Sequence, residues 1–199
     1  MVDYTSGAPT EDSITAEYAV KGRGHLKMQW PALMTLGLVG VLFPILSRYT
    51  APVEAQAILV EHLTIKFVGT LLLLHGLMIL WFTVHYGMKP GFSWRAGMTI
   101  FTLFVASGVL IDPLDLHIPI AVSVASYIIA TAIYLIVEGK TVFVGESSRP
   151  LFINAGISIL LGFSLIPDLP MPEFWRPPFV LGLYFVLLAL GLRSVSSDA

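Results

Sequence analysis

From Trp30 onward the chain alternates between long apolar runs and short polar or proline-containing breaks. Six runs stand out, at about 30–47, 55–86, 96–111, 118–137, 151–166 and 178–192. Uninterrupted apolar stretches of this length, rather than amphipathic periodicity, predict helices that cross a bilayer. Trp30 and Pro31 open the first run as an interfacial aromatic and a first-turn proline, and Arg48, Tyr49 and Pro52 end it. Lys89, Pro90 and Gly91 close the second, and Asp112 with Pro113 stops the third, which begins beyond Trp94 and Arg95. The fourth ends at Glu138, Gly139 and Lys140, and the fifth at Pro167 and Asp168. The sixth follows Trp175, Arg176 and Pro177 and ends at Arg193.

The expected fold is therefore all-α: a polytopic bundle of six transmembrane helices over 30–193, with tails at 1–29 and 194–199. The third, fifth and sixth runs hold about 16–18 residues between flanking charges, or roughly 24–27 Å at 1.5 Å per residue. That is slightly short of a hydrocarbon core of about 30 Å, so flanking Arg and Trp side chains are expected to reach for the interface. The first, third and fifth runs end alike, at Gly40 to Pro44, Gly108 to Pro113 and Gly162 to Pro167, which points to three related helical hairpins. Met1 to Gln29 does not read as a cleavable signal: Asp3, Glu11, Asp12 and Glu17 precede its basic residues.

Composition agrees with the pattern. The 199 residues are 56% hydrophobic and only 12% charged, with mean hydropathy +0.82, whereas soluble domains are about a quarter charged. A net charge of −2 offers nothing to nucleic acid. With no cysteine, disulfides, thiolate nucleophiles and thiolate metal sites are excluded. The expected partners are the lipid bilayer and other membrane subunits or further copies of the chain.

Charge also sets orientation. Lys21, Arg23, Lys27, Lys89, Arg95, Lys140, Arg149 and Arg193 fall on the side of the N-terminus, against Arg48 and Arg176 on the other, with Lys66 inside the second run. The loops are short, so the positive-inside rule places both termini in the cytoplasm of a multi-pass protein of the cell membrane.

Candidate chemistry gathers in the second run, where ionisable groups sit at membrane depth. At 100° per residue Glu54, Glu61 and His75 share a stripe within roughly 60°, and His62 and Lys66 form a second one. His75 lies about 20 Å along the axis from Glu61, so its partner must come from another helix. Glu61 and His75 are the candidate acid and base or path residues, and His75 with His62 the candidate haem or metal ligands. A transition metal could also be held by Asp112, Asp115 and His117, three oxygen and nitrogen donors within six residues. A helix-capping turn accounts for the same residues. Together with Glu54, Glu61, Asp168 and Glu173 they make the non-cytoplasmic face acidic.

The separation of 13 residues between His62 and His75 is similar to that of paired copper-ligand histidines in the third subunit of membrane methane and ammonia monooxygenases. That family carries Asp or Asn four residues before the first histidine, where this chain has Ile58. The spacing also resembles that of di-haem cytochrome b helices, which need a second His-bearing helix. Neither pattern is complete, and no family follows. Prenyl-diphosphate Asp-rich motifs, nucleophile elbows, His-Glu-x-x-His zinc motifs and Walker loops are missing.

Three functions fit these residues. The first is an accessory subunit of a larger membrane assembly, in particular a haem or copper redox complex. The second is a small cation or small-solute transporter, and the third a membrane enzyme acting on a lipid or isoprenoid. On topology the expectation is direct: a reporter fused after Asp198 should be active only if it is a cytoplasmic reporter, and activity of a periplasmic-type reporter there would invert the assignment of sides.

Overall fold

The computed structural model describes residues 29–47, 56–86, 92–111, 119–141, 149–166 and 176–197. Six helices result: α1 Gln29–Ser47, α2 Gln56–Tyr86, α3 Phe92–Ile111, α4 Ile120–Thr141, α5 Arg149–Phe163 and α6 Pro177–Ser197. The expected all-α bundle is the observed architecture. Five helices have the length and apolarity to cross a membrane, and the chain is a multi-pass integral membrane protein.

The helix ends move where local chemistry overrides the apolar pattern. α3 begins at Phe92 rather than Ala96, directly behind Pro90 and Gly91, and so takes in Trp94 and Arg95. α4 runs past Glu138 to Thr141: the carboxyl bonds to Tyr134 one turn back, and Gly139 lets Phe152 of α5 approach to 3.3 Å from where a Cβ would sit. α6 continues through Arg193, whose guanidinium lies 5.2 Å from the Trp30 ring centroid of α1. With 20 and 21 residues α3 and α6 are not short after all. Only α5 is, at 15 residues or roughly 22 Å, after which Ser164, Leu165 and Ile166 turn out of the helix.

From α2 to α5 consecutive helices run antiparallel, with α2 against α3 and α4 against α5 as the closest neighbours. α6 packs on α2, α4 and α5, and α1 lies across its outer side. That last crossing is made by glycine. A Cβ on Gly182 would stand 2.5 Å from the Val41 nitrogen, and one on Gly40 would stand 2.7 Å from the Gly182 Cα, so the two backbones touch. Gly162 serves similarly under Ile129, whereas Gly108 faces open space. The matching segment ends therefore play different packing roles.

The core holds Val68, Leu71, Leu72, Ile128, Leu151, Leu181 and Phe185, all buried. The outside is the reverse of a soluble protein's, with Ile100 70%, Phe104 69% and Leu160 71% exposed. In water these side chains would be a liability; against acyl chains they match the solvent. Trp81 and Trp94 are exposed at the end of α2 and the start of α3, where an interfacial belt belongs.

Gly182→Val should force α1 off α6. Overpacking of this kind costs about 1–3 kcal/mol or more, read as a lower melting temperature in detergent, while Gly108→Ala should leave melting unchanged or raise it.

Candidate functional site

The apolar window of α2 runs from Leu63 to His85, which sets His75 close to its centre and so near the middle of the membrane. An imidazole there must find its hydrogen bonds inside the bundle. Its partner is not the Ser or Thr that commonly glues membrane helices but Tyr127 of α4, whose hydroxyl meets Nδ1. His75 is 3% exposed and Tyr127 fully enclosed. The His75 ring also packs against Phe185 of α6, with centroids 5.0 Å apart, and edge-on to Tyr127 at 6.0 Å.

Three more hydroxyls surround this pair. Thr102 of α3 and Thr131 of α4 flank the Tyr127 hydroxyl, and their own protons go to the carbonyls of Met98 and Tyr127. Tyr184 of α6 stands edge-on to Tyr127 at 6.0 Å. Thr131 lies beside the Tyr184 hydroxyl, with its own proton turned to the Tyr127 carbonyl.

The cluster continues toward one membrane face. On α4, Tyr127, Thr131, Tyr134 and Glu138 are spaced 4, 3 and 4 apart, which keeps them within about 60° on one side of the helix. On α3, Arg95, Thr99 and Thr102 repeat the spacing. The two rows run antiparallel, so Arg95 acts electrostatically on Glu138 and the Tyr134–Glu138 pair. Thr83 of α2 joins at mid-height with a 3.4 Å contact to Thr99. In the other direction the core is dry: Val68, Leu71, Leu72, Ala106, Val124 and Leu181 are all buried. On the side toward the start of α3 the hydroxyls form a row between buried apolar side chains, Phe82, Met98, Leu135 and Leu188 among them, and the row ends at His75.

The remaining expected site residues separate from this cluster. Glu54, Asp112, Asp115 and His117 lie outside the described residues, as do the side chains of Glu61 and His62. Lys66 donates to the Leu110 carbonyl at 3.1 Å, satisfying the C-terminal end of α3. Among the described residues no three His, Asp or Glu side chains converge as metal ligands. A haem on His75 would have to displace Phe185 and the tyrosines that fill its surroundings.

In the sequence the charges and histidines stand out, and the hydroxyls of this cluster do not. The usable signal was the spacing of Tyr127, Thr131, Tyr134 and Glu138 inside an otherwise apolar run. Asn154 was also missed: it is buried in α5 and donates to the Leu187 carbonyl of α6 at 2.9 Å beside Gly191.

No family model matches the chain, and no characterised protein or solved structure is significantly similar to it.

Tyr127→Phe removes one hydroxyl and leaves His75 Nδ1 buried without its partner, which should cost about 1–3 kcal/mol of stability in detergent. Tyr127→Phe combined with His75→Leu should recover part of that loss. Full additivity of the two changes would mean that the contact contributes nothing.

Proposed function

We propose that the protein is a small membrane transporter of protons, with His75 as its mid-membrane acceptor. The observation that carries this reading is the polar row that reaches a buried histidine from one face only. Imidazole and phenol are suited to the task. When Tyr127 donates to Nδ1 the ring proton sits on Nε2, and when Nδ1–H donates, the phenol oxygen accepts. Passage from the first form to the second carries one proton past the ring: the phenol proton goes to Nδ1, the phenol oxygen takes up another from the row, and the Nε2 proton leaves on the far side. The cluster offers hydroxyls and one imidazole but no carboxylate at mid-depth, so a proton suits it better than a metal cation. The buried apolar layer beyond His75 argues for a gated carrier rather than an open channel, because a continuous wet path would not cross it. Glu61, with Glu54, is the candidate acceptor on the far side. In this reading the face that opens to the polar row is the cytoplasmic one, following the excess of Lys and Arg there.

A second reading, an accessory subunit of a larger assembly in the cell membrane, is favoured by Gly97 and Gly108. Both face outward on α3 with nothing against them. Glycine costs a helix about 1 kcal/mol relative to alanine and gains no packing here within the chain; a helix of another membrane subunit or a second copy would supply it. Gentle solubilisation followed by sizing tests this, with a lone monomer counting against it.

For the transport reading, purified protein in vesicles holding a pH-sensitive dye should dissipate an imposed pH gradient once a potassium ionophore balances charge. Loss of a positioned proton-transfer group should slow this by about 10²-fold in His75→Ala at unchanged yield of folded protein. If His75→Ala lowered only the yield and left flux per molecule intact, the histidine would be a packing residue.

A further inference from the structure

Glu138 is the third residue from the end of its span and carries the only carboxyl on the polar side of α4. A carboxyl at this depth is held by specific neighbours. Its hydroxyl partner is Tyr134, and the Arg95 guanidinium of α3 acts on both. Among the described residues, Tyr134 and Arg95 are the groups that act on it. Glu138 also keeps part of its surface exposed, unlike Tyr127 and Thr131 further in. It therefore meets two conditions at once: a place within three residues of the end of its span and contact with the polar row.

We infer that Glu138, bonded to Tyr134 and held opposite Arg95, is the port through which protons enter the polar row that ends at His75. The inference rests on the transport reading given above. The carboxylate takes a proton from the aqueous phase and gives it to the Tyr134 oxygen as that phenol releases its own proton inward. Glu138 returns to the carboxylate, Tyr134 to the neutral phenol, and no other reactant is needed. From Glu138 to Tyr127 the row spans 11 residues, roughly 16 Å at 1.5 Å per residue. Hydroxyl-bearing side chains recur along it at one-turn intervals, Tyr134, Thr131 and Tyr127 in turn. Arg95 is a positioning residue: its charge keeps the carboxyl turned to α3 and the row rather than outward to the headgroups. A merely structural ion pair would use the same residues but would not need Tyr134.

The test compares dye-loaded vesicles containing wild type, Glu138→Gln, Tyr134→Phe, His75→Ala and, as a control off the row, Ser107→Ala. Wild type and Ser107→Ala should conduct alike, with Glu138→Gln and Tyr134→Phe slower by about tenfold or more. Wild-type rates in both of these variants beside a dead His75→Ala would overturn the port and leave the histidine reading standing. No flux in wild type would overturn both. Should the variants assemble poorly, the wild-type protein treated with a membrane-soluble carbodiimide decides: flux should fall in step with modification of Glu138 in peptide maps, and full modification with undiminished flux would refute the port.

Discussion

The hydrogen bond between His75 and Tyr127 ties α2 to α4 at the depth where no water can stand in for a missing partner. Everything around it follows from that requirement. The phenol must be brought to the imidazole, so α4 presents Tyr127 inward; Phe185 and Tyr184 of α6 close the remaining sides. An imidazole at mid-membrane is expensive to keep. A bundle that needed only packing would meet the same geometry with a leucine, which is why the pair is the natural place to look for function.

The helices that deliver these groups are held by two different devices. Between α1 and α6 the backbones touch at Gly40 and Gly182, an association that rests on close van der Waals approach. Between α5 and α6 the tie is polar, Asn154 reaching the Leu187 carbonyl over Gly191. Lys66 does the same for α2 and α3 at the Leu110 carbonyl. None of these three ties lies in the polar row, so the scaffold and the row can be altered separately.

How much of this the sequence discloses depends on the kind of signal. Apolar runs are long and redundant, so the number of helices and the bundle class are readable from them. Their ends are less so: Arg95, Glu138 and Arg193 look like stops, yet each is absorbed into a helix, Glu138 beside Tyr134 and Arg193 over the Trp30 ring. His75 stood out as the ionisable group at mid-depth, and its need for a partner on another helix could be argued from its distance to Glu61. Which partner could not be read, because that depends on the rotation of α4 about its axis. Tyr and Thr are common enough in apolar helices that only their shared face, visible once α3 and α4 are placed together, marks them as a row.

The row of hydroxyls that leads along α3 and α4 from the start of α3 to His75 is the central claim, and it concerns access. Proton exchange at the ring measures that directly. With the protein in membranes and nitrogen-labelled histidine, transfer into heavy water should exchange the His75 ring proton quickly while the amides of Val68 and Leu72 stay protected. A ring proton that exchanges as slowly as those amides would contradict the account, because the polar row would then lead nowhere.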